Sequence, residues 1–384
     1  MRKMKKIQTH GMKKTTSHLA FYKHLLVKNM YGKKGSAIEW QPMQKANANF
    51  SPTELFFQMF DEDINMFVTY SNMYAAKKNE PGNITHSEMK AFFGVLLPSE
   101  YVSLPRRCMF WEKSGDTRNE VIANALARDR FEFFMSNLHC CDNDNLDIND
   151  RYAKVRPFFD RLNQNFQRFA PYSETHSVDE SMVPYFGNYG CKQFIKNKPI
   201  RYGYKVWMGA TSSGYCVWIE PYQGAKTKLK ERYKSFGLGP SVILEYADIL
   251  KMLGSFPYHI FFDNFFTTAP LLDQLQKDNV RATETIRENR MSKCPILSKN
   301  EIKKKKRGEY DFRSTQNKVV IVKWHDNNAV NVASNTLSVE QLHQVSRFSQ
   351  KDKKRITVDL PHPLYIYNKF MGRVDHCDQN VSLY

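Results

Sequence analysis

The sequence predicts an α/β fold, a mixed sheet preceded by a helical N-terminal region and interrupted by an inserted element. Three observations carry that expectation. Apolar residues recur at helical spacing from about residue 50 to 170, then give way to short extended runs near residue 175. The stretch KVWMGATSSGYCVWIEPY reads as two apolar runs joined by a Ser-Ser-Gly turn, a hairpin. A strand candidate, a helix and another extended segment follow it, an order that suits a mixed sheet.

Residues 1–48 form a basic arm: ten Lys or Arg precede the first acidic residue, Glu39. The arm reads as disordered, either a solvated tail or an import or phosphate-contacting segment. Residues 49–170 hold the helices. SPTELFFQMF opens with Ser51 as N-cap and Glu54 three residues on, a capping box, with Phe56, Phe57 and Phe60 at helical spacing. ITHSEMKAFFGVLL repeats the device with Thr85 or Ser87 as cap. NEVIANALARDRFEFFMSNLH reads as one amphipathic helix and KVRPFFDRLNQNFQRFA as another. These stripes are ordinary core, and no chemistry is assigned to them.

Residues 171–290 hold the first part of the sheet. HSVDESMVPYF is short and extended, the hairpin follows, and YHIFFDNFF is a third strand. TTAPLLDQLQKDN is a helix with Thr267 or Thr268 at its cap and a Pro in its first turn, and VRATETIREN is extended. Residues 291–355 are more polar, with the basic run Lys303, Lys304, Lys305, Lys306, Arg307 and a strand pair around VVIVKWHDNNAVNVASN. They read as an inserted or satellite element. Residues 356–384 begin a helix that completes the core, with Tyr367, Phe370, Met371, Val374 and Cys377 along one stripe.

Among 384 residues, 57 Lys and Arg against 39 Asp and Glu leave a formal charge of +18, which favours a polyanionic partner. Ribosomal, chromatin and heparin-binding proteins share that balance, so charge alone names no function. No apolar run approaches the roughly 20 residues of a membrane span, so no membrane partner is expected and the chain reads as soluble and intracellular. The seven cysteines are scattered, without CxxC or zinc-ligand spacing, and are expected to be reduced thiols of a cytosolic or nuclear protein.

Four carboxylates are candidates for chemistry. Along FFDNFF, strand alternation would set Asp263 on a face with Phe261 and Phe265, where a carboxylate is costly unless paired or metal-bound. The other reading is an Asp at the strand end that caps the next helix. Asp179 lies beside Glu180 at the end of a short strand, either a site carboxylate or one of a surface acidic pair. Asp375 and Asp378 stand at i, i+3 on one helix face, either site ligands or a solvated edge opposite Arg373. Two Mg²⁺ ions need several hard oxygen ligands converging from different elements, and these positions supply them. In KQFIKNKPIRYGYK, Lys192, Lys196, Lys198, Arg201 and Lys205 interleave with Phe194, Tyr202 and Tyr204. That pattern suits phosphate contact with stacking, here by Tyr204, or else a solvated basic loop over core aromatics.

Several strings make the sequence similar to the piggyBac transposases and the host proteins derived from them. They are SPTELFFQMFDEDI, LPRRCMFWEKSGD, VDESMVPYFGNYGCKQFIKNKPIRYGYKVW, FFDNFFTTAPLLDQL, TIRENR and YNKFMGRVDHCDQNVSLY. The resemblance implies an RNase H-like DDD (DDE-type) catalytic core behind a helical dimerisation and DNA-binding region. It implies Asp179, Asp263 and Asp375 as catalytic metal ligands, Asp378 as a fourth, and Mg²⁺ or Mn²⁺ as a pair of ions. It further implies hairpin-forming excision and insertion at TTAA in DNA, a homodimer, and action in the nucleus.

Three departures accompany the resemblance. Arg373 replaces the second Gly of a usual GGVD, and Glu284 stands in a sheet segment where the family commonly has GT. The cysteine-rich zinc domain of the family has no counterpart here, so the chain reads as truncated before it, with transposition impaired. The alternative is a domesticated, catalytically inactive DNA-binding or chromatin-associated protein.

Overall fold

The computed structural model describes residues 50–383 apart from 114, 197, 292 and 316–318, so the basic arm expected over 1–48 lies outside the described residues. Two compact units result. The first holds the described residues up to Leu146 with Lys154–Arg161, and the second Asp147–Ala153 with Leu162–Leu383.

The first unit is helical. Helix α1 (Pro52–Lys77) starts at a capping box in which the Ser51 hydroxyl accepts from the Glu54 amide at 3.2 Å and the Glu54 carboxylate accepts from the Ser51 amide at 2.6 Å. Thr85 and Glu88 do the same for α2 (His86–Tyr101). Glu88 also takes the Arg130 guanidinium, which holds its carboxyl down at about 2. The single helix expected over residues 119–139 is two, α3 (Glu120–Ala125) and α4 (Arg128–Asn137). Leu126 is extended and buried between them, and its freed carbonyl accepts from the Trp111 indole at 2.7 Å. Ile64, Phe67, Met89, Phe92, Phe131 and Phe134 form the core of this unit. Helix α5 (Arg156–Arg168) is divided between the units, its residues to Arg161 counted with the first.

The second unit is built on one mixed sheet. Its strands are β1 (Thr175–Pro184), β2 (Lys192–Phe194), β3 (Tyr202–Thr211), β4 (Cys216–Pro221), β5 (His259–Phe262) and β6 (Arg281–Thr285), then β7 (Tyr310–Ser314), β8 (Val320–His325) and β9 (Ala329–Ser334). The order is β2-β3-β1-β5-β6-β9-β8-β7, with β4 on the same edge of β3 as β2. Strands β1, β3 and β4 are antiparallel, β5 and β6 run parallel to β1, and β9, β8 and β7 continue antiparallel. The strands expected in a satellite element therefore extend the main sheet, because β9 pairs with β6 through Thr283↔Ser334. Beyond them, β10 (Leu342–Ser349) and β11 (Lys354–Pro361) make a separate two-stranded ribbon.

Each face of the sheet has its own cover. On one lies α6 (Leu238–Leu253), buried at ten positions, with Glu245, Asp248 and Lys251 along its outer side. His176 of β1 bonds the Tyr246 hydroxyl of α6 at 2.8 Å, and a Cβ on Gly209 would stand 2.2 Å from the Tyr246 ring, so the close approach requires glycine. Helix α7 (Ala269–Lys277) is capped by Thr268, with Pro in its first turn. A short α8 (Lys299–Lys303) follows. On the other face lie α9 (His362–Phe370) and α10 (Arg373–Ser382), with the Phe370 ring 5.3 Å from that of Phe261. One helix was expected here. Gly372, at φ 85°, breaks it in two in the left-handed region that favours glycine.

Glu284 sits in β6 between Phe262 and Ala333, fully buried, and neither carboxyl oxygen has a hydrogen-bond partner. Burial pushes its carboxyl well above the ordinary range. The folded chain thus keeps a proton that the unfolded chain releases above about pH 4. This side chain therefore costs more stability as pH rises from there. Glu284→Met is expected to raise the melting temperature by roughly 3–6 °C near pH 8 and by less near pH 5. A melting temperature lowered at both pH values would contradict this account.

Candidate carboxylate site

The parallel ladder between β1 and β5 ends at Val178↔Phe262. Asp179 and Asp263 are the next residues after that rung, at the same level of adjacent strands, which lie about 4.8 Å apart. Asp179 stands within the ten-residue β1, paired with Met208 of β3, and not at a strand end as the sequence suggested. Asp263, conversely, lies just past the end of β5. Strand alternation does not continue through FFDNFF, because the Asp263 carboxylate accepts from the Phe265 amide at 2.8 Å and turns the chain.

Helix α10 brings the other two. Asp378 accepts from the Ser181 hydroxyl at 2.6 Å, and Ser181 shares a strand face with Asp179, two residues before it. Asp375 meets the Lys198 ammonium at 3.2 Å, and Lys198 also donates to the Glu180 carbonyl at 3.0 Å. Arg373 turns away from both, since its guanidinium donates to the Lys369 carbonyl at 2.5 Å. The cation beside the third aspartate is thus Lys198, not Arg373.

Burial and neighbouring charge set the state of each group. Burial, then the neighbouring Glu180, pushes the Asp179 carboxyl up to about 8, with Lys198 acting in the opposite sense. Burial raises Asp263 as well, opposed by the Phe265 amide, while Glu180 adds to the rise. Asp378 is raised by burial against the pull of Ser181 and Lys198. Burial lowers Lys205, and Glu180, Asp179 and Asp263 offset part of that. For Lys198 the balance is reversed: burial would lower it, but Asp179, Asp375 and Glu180 hold it above its ordinary value. Burial likewise raises the Tyr367 hydroxyl, which feels Asp263 and Asp179.

Of the six residues read as DNA contacts, Lys196 and Arg201 are exposed. Lys192 donates to the Gly187 carbonyl at 2.7 Å, and Tyr204 stacks on Tyr185 at 4.6 Å. Lys198 and Lys205 lie among the carboxylates, Lys205 with its ammonium 3.9 Å from the Trp207 ring centre. The sequence reading placed Glu180 beside Asp179 but missed Ser181 and Tyr367 as neighbours of the site. Alternation along VDES was the available signal for Ser181.

Hard-oxygen ligands, with Asp179, Asp263 and Asp378 half-buried and Asp375 exposed, suit divalent cations in chemistry and charge. Among the described residues, however, no three His, Cys, Asp or Glu side chains stand together as a set able to hold a metal ion. Asp179 and Asp263 are neighbours, and Asp375 is held by Lys198.

Lys198→Met should therefore destabilise metal-free protein, whereas Arg373→Gly should leave this electrostatic balance intact. The Lys198 contribution is greatest where Asp179 is ionised and Lys198 still charged, above about pH 8 and below about pH 10.5. Thermal melts in chelator check this: the loss with Lys198→Met should exceed that with Arg373→Gly at about pH 8.5 and shrink at about pH 5.5. A pH-independent loss would show that the Lys198 contribution does not run through Asp179.

The family described as Transposase IS4 matches residues 51–384. PiggyBac transposable element-derived proteins 3 and 2 of Homo sapiens are each 44% identical over 87% of this chain. The chain spans 56% of the length of each. Among solved structures, a piggyBac transposase synaptic complex with hairpin DNA matches with a TM-score of 0.69 at 22% identity, covering 90% of this chain and 71% of that one. This likeness identifies the mixed sheet as an RNase H-like fold. The chain belongs to the piggyBac transposase family.

Proposed function

We propose that the second unit is a metal-dependent core for DNA cleavage and strand transfer of the DDD type, acting on TTAA-type sites in the nucleus. The observation that carries this reading is the adjacency of Asp179 and Asp263 at the end of the parallel ladder, with α10 laid across β1 beside them. Asp179, Asp263, Asp375 and Asp378 would hold Mg²⁺ or Mn²⁺ as a pair of ions. Such ions supply activation of a water or 3′-hydroxyl and stabilisation of the leaving oxygen. The protein's own part is to keep Asp179, Asp263 and Asp378 half-buried and their charges poised. Lys198 must release Asp375 for that carboxylate to become a ligand, after which its ammonium is free to meet a phosphate. Lys196 and Arg201 support a role in backbone contact, which fits a salt-dependent and weakly sequence-specific grip.

The ion pair between Lys198 and Asp375 favours a second reading, a domesticated protein that keeps the fold and binds DNA without cutting it. The two separate in one experiment. Mg²⁺- or Mn²⁺-dependent nicking of a TTAA-flanked duplex by the parent, abolished in Asp263→Ala, is the expected outcome. Equal background cleavage by parent and variant would overturn the enzymatic reading and leave the binding one.

A further inference from the structure

Two basic stretches far apart in sequence are joined by the fold, neither of them part of the carboxylate site. The lysines 303–306 run from α8 into a turn, and all four are exposed. The ribbon β10–β11 carries Lys351, Lys353 and Lys354 at its tip and Arg355 at the start of β11, also exposed. Arg307 ties them together: its guanidinium donates to the Phe348 carbonyl of β10 at 2.8 Å and pairs with Asp326, which also takes Arg347 at 3.2 Å. Gly308, at φ 100°, nests against β11, where a Cβ would stand 2.6 Å from the Val358 side chain.

The ribbon is anchored on one side only. Its inner face packs Val345 and Leu360 into the cluster of Trp324, whose indole donates to the Asp359 carbonyl at 2.8 Å, and Val358 is buried beside Gly308. Its outer face presents Ser346 opposite Thr357 and the half-exposed Phe348 opposite Arg355. The acidic residues nearby are partly engaged, Asp352 by the Ser349 hydroxyl at 2.7 Å and Glu309 by Lys305 at 3.9 Å. The basic side chains thus stand on elements held by hydrogen bonds and packing, not on a loose charged tail, and of the lysines Lys305 has an acidic partner.

We propose that the ribbon tip and the 303–306 lysines form one surface that binds the phosphate backbone of duplex DNA without regard to sequence. The chemistry is that of phosphate contact: ammonium and guanidinium groups spread over a rigid ribbon, with hydroxyl side chains between them. This surface shares only its partner class with the reading above and does not depend on the carboxylates.

The test measures binding of the full chain to a labelled duplex lacking TTAA, by fluorescence anisotropy across roughly 50–200 mM salt. Two triple variants, Lys303→Ala/Lys304→Ala/Lys306→Ala and Lys351→Ala/Lys353→Ala/Lys354→Ala, should each weaken binding about tenfold or more. Each should also lower the slope of log affinity against log salt by about 2–3, since each phosphate contact contributes about 0.9. Lys113→Ala/Lys226→Ala/Lys277→Ala removes the same charge from exposed positions elsewhere and should change the slope little. Unchanged slopes in the first two variants, or an equal fall in the third, would overturn the proposal. Circular dichroism of each variant guards against misfolding, and Arg355→Glu, which leaves the lysines in place, supplies an independent loss. Nicking is scored separately, so a failed cleavage assay leaves this proposal standing or falling on its own slopes.

Discussion

The parallel pairing of β1 with β5 is the constraint on which the second unit rests. Its last rung, Val178↔Phe262, sets two aspartates side by side where the strands part. The same strand, β1, holds β3 along its other edge from His176↔Thr211 to Pro184↔Gly203. Its two faces receive Tyr246 of α6 through His176 and Asp378 of α10 through Ser181. A one-residue slip of β1 would send each of those side chains to the wrong face. The long ladder to β3 and the glycine-dependent approach of Tyr246 guard against it.

The electrostatics follow from that placement. Burying several carboxylates in one region is unfavourable unless protons, cations or hydrogen bonds answer them. All three have a place here: the raised Asp179 carboxyl favours keeping its proton, Lys198 brings an ammonium to Asp375, and Ser181 donates its hydroxyl to Asp378. Lys205 adds a cation lodged against Trp207 and Phe265. The cluster is stable as a compromise, and any ligand that brings positive charge enters in competition with groups already there.

Local signals in the sequence were legible where their chemistry is local. The boxes Ser51/Glu54 and Thr85/Glu88 start helices as their spacing implies, Thr268 caps α7, and the Ser-Ser-Gly turn joins β3 to β4. What escaped depends on partners distant in sequence. The break at Leu126 goes with a carbonyl that accepts from the distant Trp111 indole. The membership of β9 in the main sheet is decided by its pairing with β6, which no local pattern records. At the site, the aspartates were visible through their motifs. The role of Lys198 was not, because it arises from the packing of α10 on β1 and not from spacing within KQFIKNKPIRYGYK.

The turn between α9 and α10 bears on how this lineage is read. Only Gly372 occupies a backbone conformation closed to most side chains, while Arg373 is an ordinary first residue of a helix. Of two consecutive glycines, the first sets the phase at which α10 presents its acids and the second is free to drift. An arginine at the second position therefore meets no backbone strain. A survey of descendants should weigh changes at the first position far more heavily than changes at the second.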